Sequence, residues 1–551
     1  MSVENQPARF PLRMDRRTLV QASAALGLAA TASGGALALA GAAARAQEAT
    51  PGGEYRTATT TEGVSMHPFK VTDTPSFAYI DLLFNLPLMR YGRESLELEP
   101  FAVESVEESD DHTKLTFVLK SGLTWSDETP LTANDYAWTW AQASVEENGW
   151  PRLGSYSPYI DAVTAVDDTT LEVTLKSPLA ISMEKAVNAL AYVLPKHIWE
   201  ALDWSDTEKN PEIMKPSISA GPFILEEWKK DQYATFVANE HFFLGRPNVD
   251  KVTFQIFGNA NVATQALLEG QIDNYGPEPE NWPDILDSDL QAFQWDSPEL
   301  AVTYFGFNTR LDVFKDKAVR QALNFALDKE LITQELTFGL GQRATGMYLP
   351  SSWVHNPDVE TFAYDLDKAK SLLDEAGWTE GSDGVREKDG QKLEFTFIYG
   401  PNTTPIREQM ATVAQQMWSE AGAKVEVQGM EWGAYLQMTK EGPYDWGTFV
   451  NAYIAAVDPD MIWFKKEADP SYNRVDFHNA RVEELYAQGL EEFDREKRKQ
   501  IYVEIQQILT DEAPWIWLYY EQDKSAFSPR VKGVEITKMG LNDIWEWWIE
   551  G

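Results

Sequence analysis

Apolar and polar residues alternate through several short stretches of the chain, which then gives way to a helical rhythm. In KLTFVLK, Leu115, Phe117 and Leu119 fall on every second residue. Leu171, Val173 and Leu175 do so in LEVTLK, and Leu393, Phe395 and Phe397 in LEFTFIY. A period of two turns one face of a strand to a core, so each segment predicts a half-buried strand. Elsewhere the apolar residues recur every three or four positions. Met410, Val413 and Met417 form one stripe, opened by the cap and N1 proline Thr404-Pro405 and closed by Gly422. Ala369, Leu372 and Leu373 form another, capped by Asp365 and closed by Gly377; Asp494 starts a third, with Ile501, Ile505 and Ile508 on one side. Such caps and terminal glycines satisfy the free N–H and C=O groups at helix ends. Strands and helices mixed at this spacing predict α/β or α+β layers.

At 551 residues the chain exceeds what one core ordinarily serves, so two or three domains are expected. The N-terminus is read separately. Arg16 and Arg17 precede a run from Leu19 to about Ala40 built from Leu, Ala, Gly, Ser and Thr, and Ala44-Arg45-Ala46 offers the small residues a signal peptidase cuts. This predicts an export signal over residues 1–46 of twin-arginine type, with an uncut signal anchor as the alternative. No later stretch reaches the roughly 18 uninterrupted apolar residues of a membrane span, so the working part is expected to be soluble and periplasmic or otherwise extracytoplasmic. With no Cys, an exported chain must rely on core size rather than disulfides. The net charge is −39, and more negative still without residues 1–46, which hold five Arg and two acids. A chain this acidic repels phosphate backbones and anionic lipid, which excludes nucleic-acid and membrane-surface roles.

The chemistry of catalysis is hard to find. No HExxH, GxSxG, Walker or GxGxxG pattern occurs, and the six His, at 67, 112, 197, 241, 355 and 478, lack ligand spacing. No catalytic residue, metal or cofactor is therefore expected. An exported glycoside hydrolase acting on polysaccharide remains the competing class, because two facing carboxylates are all it needs and the chain has 86 acids. GSDGVREKDG at 381–390 reads as a hairpin or surface loop, since it lacks the alternating ligands of a calcium loop.

Eight segments in order carry a resemblance. They are TFVLKSGLTWSDETPLTANDYAWTW (116–140), AVTAVDDTTLEVTLKSP (162–178), LPKHIWE (194–200), SAGPFILEEWKK (219–230), ALLEGQIDNY (266–275), FGFNTRLDVFKDKAVRQALNFALDKELI (305–332), YDLDKAKSLLDEAGW (364–378) and RKQIYVEIQQILTDEAPWIWLYY (498–520). Together they resemble the family 5 extracytoplasmic solute-binding proteins, the oligopeptide, dipeptide, nickel and oligosaccharide receptors of ABC importers. The resemblance implies a two-lobe periplasmic-binding-protein fold that closes by hinge motion. It places lobe I at 48–95 and 217–300 with a return at 521–551, an inserted subdomain at 96–216, and lobe II at 301–520. It further implies a monomer that passes a small ligand, peptide or oligosaccharide, to ABC permease subunits; presentation to a sensor is a variant of the same role.

In peptide-binding relatives, NAYIAAVDPD at 451–460 resembles G-W-x-x-D-x-x-D-P, whose first Asp pairs with the peptide ammonium. Here Ala455 stands at that Asp and Ala452 at the Trp, while Asp458-Pro459 keeps the turn. Asp458 is read as a turn or helix cap. Losing the charged hydrogen bond removes about 1.5–3 kcal/mol and the reason to prefer a free amino terminus. Asn451 and Tyr453 then offer an amide and a phenol. Trp432, Trp517, Tyr519, Tyr520 and Tyr275 add flat rings suited to sugar faces or peptide side chains, and equally to core packing. Asn402 and Thr403 precede a helix N-terminus, where backbone donors accept anions or hydroxyls, with plain capping as the alternative. His67, in SMHPF, falls in an early loop that borders the cleft in relatives.

Overall fold

The computed structural model describes residues 51–550 except Thr72, 203–209, Pro298, 401–405, 461–463 and 466–472; the expected export signal lies outside the described residues. Two large sheets organise the chain. The first runs, in spatial order, through Gln291–Trp295, Asp523–Phe527, Asn274–Tyr275, Glu54–Thr59, Lys251–Ile256, Tyr233–Ala238 and Phe223–Lys229. The second runs through Gly341–Arg343, Trp515–Glu521, Ala301–Phe307, Thr448–Ile454, Glu394–Tyr399 and Lys424–Gly429. Each sheet is mixed: Glu54–Thr59 pairs in parallel with Lys251–Ile256, and Glu394–Tyr399 with both of its neighbours, while the other large ladders are antiparallel.

Burial follows the predicted alternation. Leu115, Phe117, Leu171 and Val173 are fully buried and lie in a separate four-stranded sheet, Val103–Glu108, Lys114–Leu119, Thr170–Leu175 and Ile160–Ala165. This insert shares a core with one face of the first sheet. The second sheet has a core on each face, one around Phe305, Phe397 and Trp418, the other around Tyr304, Trp515 and Tyr520. Separate cores on separate sheets make two lobes. The fold is a two-lobe, periplasmic-binding-protein type with an insert.

Local signals work as expected. The Asp365 carboxylate accepts from Lys368 N at 2.8 Å and starts Leu366–Glu375; Asp494 accepts from Lys497 N at 3.0 Å and starts Arg495–Glu512. Helix Ile406–Glu420 carries Met410 and Ala414 inward, although its cap, Thr404-Pro405, lies outside the described residues. The glycine of SAGPF answers a steric demand: a Cβ on Gly221 would stand 2.3 Å from the Leu82 carbonyl oxygen. Residues 381–390 belong to a small meander, Thr379–Glu380, Arg386–Lys388 and Gln391–Lys392.

Candidate ligand site between the lobes

The chain passes between the sheets twice. Residues 296–300 separate Gln291–Trp295 from Ala301–Phe307, and Gln522 alone separates Trp515–Glu521 from Asp523–Phe527. Gln522 ties the crossings together, its N–H donating to Leu340 O at 3.1 Å and its amide Nε2 to Asp296 Oδ1 at 3.3 Å. Beside this joint lies a cavity of about 200 Å³ with walls from both lobes. The first lobe supplies Glu278, Pro279 and Glu280, just past the strand Asn274–Tyr275, together with Lys524. The second supplies Thr303, Tyr519 and Glu521 from its sheet, Leu336 to Leu340 from the end of a π-helical turn, and Ile406, Arg407, Gln409 and Met410 from the start of a helix.

Charge is mixed here. Thr303 Oγ1 donates to Glu521 Oε1 at 2.8 Å, fixing that carboxylate at the cavity wall. Burial pushes the Asp523 carboxyl up, with Glu521 adding to the effect. Burial pulls the Lys524 ammonium down, against the opposing influence of Glu278, Glu521 and Asp523. Burial likewise raises the Glu299 carboxyl in the other crossing. The Arg407 guanidinium sits 5.1 Å over the Trp432 ring, which in turn stacks on Tyr435 at 5.3 Å. Arg407 Nη1 is buried without a hydrogen-bond partner.

Of the residues singled out by sequence, Tyr519 lines the cavity, and Trp432, 40% exposed, flanks it beneath Arg407. Tyr275 is half-buried against the first lobe's second core, and burial, with Glu278, pushes its phenol up to about 12. Asn451, Tyr453, Trp517 and Tyr520 are buried in the second lobe, the three rings within one core and Asn451 paired across the sheet with Tyr304. The two phenols are committed there: Tyr453 Oη donates to Met347 O at 2.5 Å, and Tyr520 Oη meets the carbonyls of Gly346 and Tyr348 at 3.1 and 2.9 Å. His67 is buried in the first lobe, its Nδ1 accepting from Phe69 N at 3.1 Å; burial, then Lys70, lower its pKa to about 3, so the ring is neutral. Asn402 and Thr403 lie outside the described residues. Sequence reading missed Arg407, Glu278, Glu280, Glu521 and Lys524. Arg407 carried a signal: a cation in a helix's first turn opposes the helix dipole.

The Asp-Pro-Asp turn belongs to a second contact. Asp458 Oδ1 accepts from Asp460 N at 2.9 Å, the turn cap that its sequence suggests. The same carboxylate takes a bidentate pair from Arg498 at 2.6 and 2.8 Å. Asp460 pairs with Lys465 at 2.7 Å and reaches Lys185 of the insert at 4.0 Å. Around it the insert touches the second lobe through Ala180 N to Leu490 O at 2.8 Å, His112 stacked on Phe493 at 4.0 Å, and Arg495 to Glu97 at 2.6 Å. Glu184 lies within this contact, its carboxyl pushed up to about 7 by burial and by Asp458. Among the described residues, no three His, Asp or Glu side chains are grouped to hold a metal ion.

Two lobes, two crossings and a charged cavity between them define a ligand-capture protein of the hinged type. Comparison places it further: the chain belongs to the bacterial extracellular solute-binding proteins, family 5, whose model matches residues 97–469. It is 29% identical over 462 residues to the oligopeptide-binding protein AppA of Bacillus subtilis, covering 83% of this chain and 84% of that protein. It is 26% identical over 478 residues to the dipeptide-binding protein of Escherichia coli, covering 82% and 86%. The structure of AppA from Bacillus subtilis in complex with a nonapeptide matches with a TM-score of 0.78 and 28% identity, over 92% of this chain and all of that one.

Proposed function

We propose that this protein captures a short peptide between its lobes, outside the cytoplasm, and passes it unchanged to the membrane subunits of an ABC importer. The observation that carries the reading is the cavity, walled by both lobes beside the two crossings, in a chain that aligns along nearly its whole length with a structure holding a nonapeptide. The relatives move the balance between oligosaccharide and peptide. Several relatives are named for peptides, AppA and the dipeptide-binding protein among them, although others are named for heme and nickel; a wall of mixed charge suits a zwitterion better than a neutral sugar. The absence of an Asp at Ala455 therefore does not argue for a sugar; it argues for an ammonium seat elsewhere, and Glu278, Glu280 and Glu521 are the carboxylates at hand. In this proposal lobe I comprises 48–300 and 521–551, with its insert at 96–216, and lobe II comprises 301–520. Tyr519 and Trp432 face the ligand, while Asn451, Tyr453, Trp517 and Tyr520 stiffen the wall behind them.

Thermal melting against a random-sequence nonapeptide pool and a pooled oligosaccharide mixture tests the reading. A saturable rise in Tm with peptide alone, and peptide masses unchanged after incubation, is the expected result. A rise with sugars alone, or peptide fragments in the supernatant, contradicts it.

A further inference from the structure

We infer that Phe338 sets part of the ligand's selectivity, its ring serving as the contact for a large apolar side chain of a bound peptide. The inference rests on the peptide reading above. Its first support is the backbone. Phe338 has φ +54°, in the left-handed region that bulky residues rarely adopt, and Gly339 follows at +76°. Such strain persists only where the surroundings fix it. Here Gly339 N donates to Gln334 O and Leu340 N to Thr337 O, each at 3.0 Å. Thr337 Oγ1 donates to Thr333 O and accepts from Gly341 N at 2.8 Å, which ties both ends of the turn. Two residues past the ring, Leu340 is buried in the first lobe's second core with Leu267, Trp282 and Ile285. Groups of both lobes therefore hold Phe338 in place beside the cavity.

Its second support is exposure. Phe338 lines the cavity and is 55% exposed, whereas Leu340 and Met410 on the same wall are buried and Leu336 and Ile406 half-buried. Phe338 belongs to none of the hydrophobic cores among the described residues. Glycine would take up this backbone without strain. A strained turn and an apolar ring left in water both count against Phe here, so stability does not account for it. A guest in the cavity does. The ring, with Leu336 and Ile406 beside it on the wall, offers a peptide side chain apolar surface to bury. Glu278, Glu521 and Lys524 leave the polar parts of that guest to other stretches of the wall.

Two random nonapeptide pools with free termini and equal charged content test this. One includes Phe, Tyr, Leu, Ile and Met; the other has Gly, Ala, Ser and Asn in their place. Retention is measured on wild type, Phe338→Gly and Phe338→Leu, with the unliganded Tm of each recorded. Wild type is expected to retain the apolar pool roughly 5- to 30-fold better than the polar one. Phe338→Gly is expected to lose most of that preference by weaker retention of the apolar pool alone, with its unliganded Tm unchanged or raised. Phe338→Leu should keep most of the preference. Should Phe338→Gly fail to fold, Phe338→Asn, which tolerates the left-handed region, replaces it with the same expectation. Wild type without preference, or a glycine or asparagine variant with the full wild-type preference, overturns the assignment while leaving peptide capture intact. So does a fall in Tm with equal loss of both pools, which would make Phe338 structural. Wild type that retains neither pool overturns the peptide reading and this inference with it.

Discussion

Among the described residues the lobes meet at the crossings and at the insert, and the two contacts handle charge differently. Where the insert meets the second lobe, charges arrive with partners: Arg498 is forked onto Asp458, Lys465 onto Asp460, and Arg495 reaches Glu97. In the cavity beside the crossings, Arg407 lies over a ring and its Nη1 has no hydrogen-bond partner. The insert contact supplies counter-charges to its cations, although it also buries Glu184 and leaves Asp460 Oδ1 without a hydrogen-bond partner. On the reading proposed above, the insert contact serves closure and the cavity serves recognition.

The largest effect expected on that comparison comes from Asp458→Ala. Arg498 is 8% exposed and Asp458 15%, and removing one partner leaves a buried cation unanswered, a loss of about 3–5 kcal/mol in denaturant unfolding. Next, Trp432→Ala removes the platform under Arg407. Because the ring is substantially exposed, the unliganded Tm should move little, while peptide affinity measured by calorimetry falls by about 0.5–2 kcal/mol. An equal fall in both would make Trp432 a structural residue only.

Acidity sharpens the contrast. The Glu184 carboxyl, ordinarily near 4.5, is pushed up to about 7 where the insert meets the second lobe, with Asp458, Glu97 and Arg498 the charged groups around it. Below pH 4.5 it is protonated with the lobes together or apart, and the contact carries no penalty from it. Between 4.5 and 7 the closed contact holds a proton that the open one has lost, so closure weakens as pH rises, and the loss is complete above about 7. Small-angle scattering of unliganded protein should therefore show a larger radius of gyration at pH 8 than at pH 5, with much of that change removed by Glu184→Gln. The smallest effect belongs to Glu97→Ala. Both ends of its pair with Arg495 are more than half exposed, so at most about 1 kcal/mol is expected in unfolding, and less in high salt.

The fold was largely legible because its signals are local. The alternation around Leu115, Leu171 and Leu393 and the caps at Asp365 and Asp494 each depend on residues a few positions apart. The site was less so. From the sequence Tyr453 offers a phenol and Tyr520 a flat ring that suits a ligand or a core equally, but a strand's period does not say which face meets a cleft, and their hydroxyls are satisfied by the carbonyls of residues 346–348. Asp458 was legible as a turn cap and not as the partner of Arg498, forty residues on, because that pairing exists only once the helix Arg495–Glu512 is docked. Glu278, Arg407 and Glu521 come together from three distant segments, and nothing in their spacing announces it.

Mass spectrometry of the compound released when protein purified from its own host is unfolded tests the central claim most directly. An intact peptide recovered from the protein is the result predicted. A guest that is not a peptide, or one chemically altered while held, would contradict it.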